Sequence, residues 1–130
     1  MSVLDGFKFN AVRIDNNHQN DDMADMDAWR VTVTNPRGKR FQRQYFMGYG
    51  HNGAAPTLVD FMDCMISDAD LVEFDSLEGF AADMGYDTDS ISGMAKARRI
   101  YNACERVRVR LLEFLTDEER EAFQVASGNH

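Results

Sequence analysis

The three histidines and two cysteines are the residues best suited to catalysis or metal binding. His18 and His51 lie in polar segments, and His130 ends the chain. Cys64 and Cys104 are 40 positions apart. A transition-metal site usually combines ligands at short fixed spacings, such as two histidines on one helical turn or a close cysteine pair. The sequence has neither arrangement, so we expect no metal ion and no cofactor.

Both cysteines fall within apolar helical patterns, which is typical of buried free thiols in a reducing cytoplasm. A disulfide between them, or a thiol nucleophile such as Cys64 beside His51, is the alternative. The chain contains no Gly-x-Ser-x-Gly nucleophile motif, and an acidic sequence brings many carboxylates near one another by chance. We therefore expect no enzymatic activity and name no catalytic residue.

Two further segments resemble ligand-binding motifs only in part. The glycine-rich segment 48–55 (GYGHNGAA) lacks the Gly-Lys-Ser/Thr ending of a phosphate-binding P-loop. Asp87 and Asp89 have the spacing of the first two calcium ligands in an EF-hand, but Ile91 and Ser92 occupy the fifth and sixth positions of that loop. Helix capping explains these aspartates better than calcium binding does.

Charge is strongly segregated along this chain of 130 residues with a net charge of −8. Residues 44–95 contain ten carboxylates and no lysine or arginine. Such segregation gives a protein a directional electric field, although helix caps and ordinary solvated surface are the alternative explanation. The candidate partner-binding residues are seven of these carboxylates and one exposed aromatic: Asp60, Asp63, Asp68, Asp70, Glu73, Asp75, Glu78 and Tyr49.

A basic stripe follows the acidic run. In one interpretation, the helices pack side by side and the stripe pairs with the acids of residues 60–89 in the same molecule. In the other, the stripe is a surface that binds another molecule. Because the chain as a whole is anionic, we favour the first interpretation and expect no direct contact with nucleic acid. The stripe consists of Lys96, Arg98, Arg99, Arg106, Arg108 and Arg110.

The elements that would position these residues change type at Pro56, where apolar spacing switches from every second residue to a helical period. The sequence predicts a single α+β domain over residues 1–130, with a mobile acidic loop at about 16–27. A three-stranded antiparallel sheet within residues 6–47 includes a hairpin turn at 35–38 (NPRG). Helices near 57–67, 76–84 and 90–115 would cover this sheet, followed by a short terminal helix.

Capping residues and the core are predicted from the same patterns. Pro56 or Thr57 would begin the first helix, Asp75 with Glu78 the second, Thr88 or Asp89 the third, and Thr116 with Glu119 the fourth; Gly85 would follow the end of the second. Seven residues are predicted to be buried together: Trp29, Val31, Phe61, Ile100, Cys104, Val107 and Leu111.

Several segments together resemble a family of small acidic proteins encoded by bacteriophages and prophages. They are the strand WRVTVT at 29–34, YFMG at 45–48, PTLVDFMDCMISDA at 56–69, MGYDTDS at 84–90 and IYNAC at 100–104. The resemblance covers about residues 28–115. It implies inhibition of host defence, as anti-CRISPR proteins perform, and it supplies no catalytic residues.

The expected function is therefore that of a phage-encoded, cytoplasmic, non-enzymatic inhibitor. It would bind a nucleic-acid-handling protein of a host defence system such as CRISPR-Cas. Such proteins hold nucleic acid in basic channels, and an acidic surface can compete for them. The alternative is a phage accessory or structural protein that self-assembles or binds a phage partner.

Overall fold

The computed structural model describes residues 2–16, 26–47 and 54–128 and confirms the predicted α+β class. Three strands, β1 (Lys8–Ile14), β2 (Asp27–Thr34) and β3 (Arg40–Met47), form an antiparallel sheet in the order β1-β2-β3. Four helices follow: α1 (Leu58–Val72), α2 (Leu77–Asp83), α3 (Ile91–Phe114) and α4 (Asp117–Ala126). Asp27, placed by sequence in the acidic loop, is the first residue of β2; residues 17–25 of that loop lie outside the described residues.

The sheet separates its residues by the alternation that strand geometry imposes. Val31 and Val33 of β2 are fully buried, and the register places Ala11 and Phe9 of β1 opposite them. Phe41 of β3 lies opposite Val33 on the other side. These side chains form the inner face, which packs against the helices, while the intervening residues form the outer face of the sheet.

The hairpin turn between β2 and β3 is held by a buried asparagine. The side-chain Oδ1 of Asn35 accepts hydrogen bonds from the backbone N–H groups of Arg37 (3.0 Å) and Lys39 (2.9 Å). Its Nδ2 donates to the carbonyl of Phe114 at 2.8 Å. Gly38 has a φ of +88°, a left-handed conformation that favours glycine. The turn thus also caps the C-terminus of α3.

An ion pair between the exposed Arg37 and the buried Glu119 joins the same turn to α4. The Arg37 guanidinium donates to both carboxylate oxygens of Glu119, at 2.8 and 3.0 Å, and also to the Phe114 carbonyl at 2.8 Å. Glu119 completes the predicted capping box with Thr116. The hydrogen bonds from Arg37 are the main reason that the pKa of Glu119 lies below its usual value. Residues 35–38 are therefore a tertiary contact as well as a turn.

The helix ends correct two of the predicted caps. Thr57 caps α1 as expected, with its hydroxyl accepting from the Asp60 N–H. Serines, rather than the neighbouring acids, cap the next two helices: Ser76 begins α2 and Ser90 begins α3. A side-chain oxygen must reach the N–H three residues ahead, and the serine hydroxyls are the groups in position to do so. Gly85 follows α2 as predicted, with a φ of +80°.

The core consists of two clusters rather than the one predicted. Trp29, Val31 and Phe61 belong to the larger cluster together with Val107 and Leu111. Cys104 is buried instead in a smaller cluster with Val72 and Phe80, and Ile100 is only half-buried against that cluster. The prediction of a single core was therefore wrong for Ile100 and Cys104. The first turns of α3 pack on α2 and the C-terminal end of α1, beyond the reach of the sheet.

Candidate binding groove and the charged surfaces

Asp68 of α1 contributes to the fold rather than to a free acidic surface. Its carboxylate lies 3.1 Å from the Arg43 guanidinium of β3. Burial raises the pKa of Asp68, and the charge of Arg43 opposes that rise. The pair ties α1 to the edge of the sheet, so Asp68 is not available to a partner protein.

Asp70 and Glu73 are occupied in a similar way at the other end of the domain. Arg120 of α4 forms an ion pair with Asp70 and lies 3.7 Å from the carboxylate of Glu73. Asp63 accepts a hydrogen bond from the Ser127 hydroxyl at 3.1 Å. These acids hold α4 against α1. The expectation that the basic stripe on α3 would pair with these acids is wrong. The partners of the acids lie instead on β3, on α4 and just after α4.

Two other acids, Asp75 and Asp83, line a groove between α1 and α2, and Glu78 lies on α2 outside its lining. Asp75, Glu78 and Asp83 are exposed, and none forms an ion pair within the part of the chain that the structure describes. The loop before α2 is held by the Tyr101 hydroxyl, which donates to the backbone carbonyl of Asp75 at 2.8 Å. Tyr101 in turn packs edge-on against Phe80, with ring centroids 5.3 Å apart. The carboxylates are thus carried on a fixed loop and helix.

The lining of this groove combines apolar and acidic side chains. The groove has a volume of about 330 Å³, and Leu71, Phe80 and Met84 lie beside Asp75 and Asp83 in its lining. Leu71 is 37% exposed and Met84 46% exposed. Phe74, which does not line the groove but directly precedes Asp75 in the chain, is 91% exposed. We call the lining and Phe74 together the α1–α2 groove: Ser67, Asp70, Leu71, Phe74, Asp75, Phe80, Asp83 and Met84.

Sequence reasoning found part of this surface and missed its apolar half. Two of the predicted site residues, Asp70 and Asp75, line the groove. Two others are exposed elsewhere, Glu78 on α2 and Asp60 on the first turn of α1. Tyr49, predicted to be the apolar anchor, lies outside the described residues. The signal that could have found Phe74 is an aromatic residue between Glu73 and Asp75, after the apolar period of α1 has ended.

The two cysteines are free thiols in sheltered positions. The Cys64 sulfur lies 3.2 Å from the Tyr45 hydroxyl of β3, on the side of α1 that faces the sheet. Burial raises the pKa of Tyr45, and Cys64 adds to that rise. Burial also raises the pKa of the Cys104 thiol. A raised pKa disfavours the reactive thiolate of Cys104 at neutral pH.

Other chemistries have little support among residues 2–16, 26–47 and 54–128. That part of the chain holds no group of three or more histidine, cysteine, aspartate or glutamate residues that could bind a metal ion. It also contains no helix of the length and apolarity that crossing a membrane requires. Comparisons with protein-family models, with curated proteins and with solved structures found no match to this chain.

The basic stripe of α3 is largely free of carboxylate partners. Arg108 pairs with Glu105 one turn earlier, at 2.6 Å. Arg110 lies over the Phe41 ring, 4.4 Å from its centroid, and donates to the Gln42 carbonyl at 3.3 Å. The other four stripe residues form no ion pair within the described ranges. They are Lys96, Arg98, Arg99 and Arg106.

Proposed function

We propose that this protein acts by binding a basic surface of another protein through the α1–α2 groove. Three observations carry the proposal. The groove lining combines Leu71, Phe80 and Met84 with acidic residues. Its carboxylates Asp75 and Asp83 form no ion pair among the described residues, and Phe74, the chain neighbour of Asp75, is 91% exposed. Protein interfaces typically combine an apolar anchor with a polar rim, and aromatic residues are enriched among the anchors.

The apolar residues decide whether this surface can bind with useful affinity. An exposed ion pair contributes only about 0–1 kcal/mol, so Asp75 and Asp83 alone would give weak binding. Burying a phenylalanine side chain contributes about 1.5–3 kcal/mol, which makes Phe74 the strongest single contributor. The carboxylates would then select a cationic partner and speed its association.

A cationic surface of a nucleic-acid-handling protein is the partner we propose. Lysine- and arginine-lined channels bind the phosphate backbone, and an acidic protein surface that occupies such a channel excludes nucleic acid from it. The resemblance to phage-encoded proteins favours a host defence complex, CRISPR-Cas machinery among them. Under this proposal the protein is a non-enzymatic inhibitor.

The test is capture of partners by tagged protein from a nuclease-treated lysate of a bacterial host. Wild type is compared with Asp75→Lys/Asp83→Lys and with Phe74→Ala. The matched control is Asp15→Lys/Glu121→Lys, which makes the same change in net charge at exposed carboxylates outside the groove. Asp70 and Glu73 are left intact, because reversing them would place a second cation beside Arg120.

The expected result is a partner retained by wild type and by the control, and lost by both groove variants. That partner, once purified, should release a labelled oligonucleotide when wild type is added, and release should weaken between about 50 and 200 mM salt as the Debye length shortens. Equal capture by wild type and by the groove variants would refute the proposal. A partner that keeps its oligonucleotide would refute the competition with nucleic acid.

A further inference from the structure

We propose that the outer face of the sheet is a second binding surface, and that its ligand is the phosphate backbone of a nucleic acid. The proposal does not depend on the α1–α2 groove, which lies on other elements. The strand register carries the first observation. Twelve side chains point outward, and not one of them is a carboxylate. In cross-strand rows they are Lys8–Thr34–Arg40, Asn10–Thr32–Gln42, Val12–Arg30–Gln44 and Ile14–Ala28–Phe46.

Three cations on this face have no acidic partner within the part of the chain that the structure describes. Lys8, Arg30 and Arg40 are exposed, and none of them forms an ion pair among the described residues. Nearby cations with carboxylate partners are different residues: Arg13 pairs with Asp27, and Lys39 pairs with Glu113. Among the described residues the outer face therefore carries only positive charge, on a protein whose net charge is −8. The proposal departs from the expectation of no direct contact with nucleic acid, because that expectation considered the net charge and the α3 stripe and not this face.

A groove at one end of this face brings a fourth cation to it. The groove has a volume of about 500 Å³, and its lining includes Lys8, Arg40 and Arg110 together with Thr32, Thr34 and Gln42. Arg110 comes from α3 and is held in place by the Phe41 ring and the Gln42 carbonyl. Lys8 and Arg40 flank Thr34 on neighbouring strands, which places their Cα atoms about 10 Å apart.

The side chains of this groove are hydrogen-bond donors and cations of the kind that bind phosphate. Arginine, lysine, threonine, asparagine and glutamine are the groups that donate hydrogen bonds to phosphate oxygens. Phe46 is the one aromatic residue among the twelve and is half-buried at the far end, so base stacking would contribute little. Val12 is the large apolar side chain exposed on this face, too little to enter a lipid bilayer. We therefore expect sequence-independent backbone binding.

The salt dependence of such binding follows from the number of cations. Each phosphate neutralised on a single strand contributes about −0.7 to the slope of log K against log salt concentration. Four cations, Lys8, Arg30, Arg40 and Arg110, give a slope of about −3. Affinity should then fall about 50-fold between about 50 and 200 mM salt.

The experiment is fluorescence anisotropy of a labelled 20-nucleotide mixed-sequence DNA single strand titrated with the purified protein, across that salt range. The test variant is Lys8→Gln/Arg40→Gln/Arg110→Gln. Because Arg110 packs on Phe41, Lys8→Gln/Arg40→Gln is made as well. The matched control is Lys96→Gln/Arg98→Gln/Arg99→Gln, which removes three exposed cations about 17 Å or more from Arg110 along α3.

We expect the affinity of the triple test variant to be at least 10-fold lower, and the magnitude of its slope of log K against log salt concentration to be smaller by about 2. The double variant should show a smaller loss of affinity, and the control little change. No binding of wild type at about 50 mM salt would overturn the proposal. Equal weakening by the control would also overturn it, since binding would then follow net charge rather than this face. A third result would also overturn the proposal. In it, sedimentation shows that the wild type is a dimer and the test variant a monomer, and the wild type does not bind DNA.

Discussion

Replacing Asn35 with alanine tests the contact between the hairpin turn and the helices most directly. The Asn35 side chain is buried and makes three hydrogen bonds, to the N–H groups of Arg37 and Lys39 and to the Phe114 carbonyl. Alanine can make none of them. It would leave two turn donors without their acceptor and remove one of the two groups that cap the Phe114 carbonyl.

The size of the effect can be worked from those contacts. A typical intramolecular hydrogen bond contributes about 0.5–1.5 kcal/mol to stability, so three give about 1.5–4.5 kcal/mol. Water can reach the exposed side of the turn and replace part of the loss. The Phe114 carbonyl also keeps its hydrogen bond from Arg37. We therefore expect the free energy of unfolding to fall by about 3 kcal/mol, which lowers Tm by about 10 °C for a domain of this size.

Urea denaturation followed by circular dichroism measures this change, with thermal melting as a second readout. The matched control is Asn102→Ala, which makes the same substitution at an exposed position within α3. Alanine has the higher helix propensity there, so the control should be neutral or slightly stabilising. A loss below about 1 kcal/mol in Asn35→Ala would refute the reasoning, because one buried and two partly buried hydrogen bonds would then contribute no more than a single hydrogen bond usually does.

Three further outcomes are expected. Gly93→Ala should destabilise the protein by about 1–3 kcal/mol in urea denaturation, because the added Cβ would lie 2.2 Å from the Asp87 carbonyl oxygen; Gly79→Ala, whose Cβ would meet only the Ser76 hydroxyl at 3.3 Å, is its control. Glu119 has a lowered pKa in the folded protein, so its contribution to stability is complete above its unfolded pKa of 4.5 and is lost as pH falls through the folded value. Denaturation curves of Glu119→Gln should therefore show a stability that depends less on pH below 4.5. An unchanged pH profile would contradict this. Leu111→Asp should unfold the protein, whereas Ile100→Asp, half-buried in the smaller cluster, should cost less in urea; equal losses would indicate a single core.

The sequence by itself determined the secondary structure, because each element has a local signal. Alternating apolar residues from Trp29 to Val33 required a strand with one buried face, and the period from Leu58 onward required amphipathic helices. The turn at 35–38, Thr57, the pair Thr116–Glu119 and Gly85 could be identified because caps and turns depend on residues within a few positions of one another. Serine caps were missed at α2 and α3 because adjacent acids were equally plausible by local rules.

Tertiary structure alone decided which charges are paired and which remain at the surface. Asp68, Asp70 and Asp75 look alike in the sequence, yet Asp68 pairs with Arg43 and Asp70 pairs with Arg120. Asp75 lines a groove and has no ion pair with any residue that the structure describes. Those partners are 25, 50 or more positions away, so no local pattern contains them. The carboxylate-free outer face of the sheet depends likewise on strand register, because only the pairing of β1 with β2 and of β2 with β3 brings Lys8, Arg30 and Arg40 to one side.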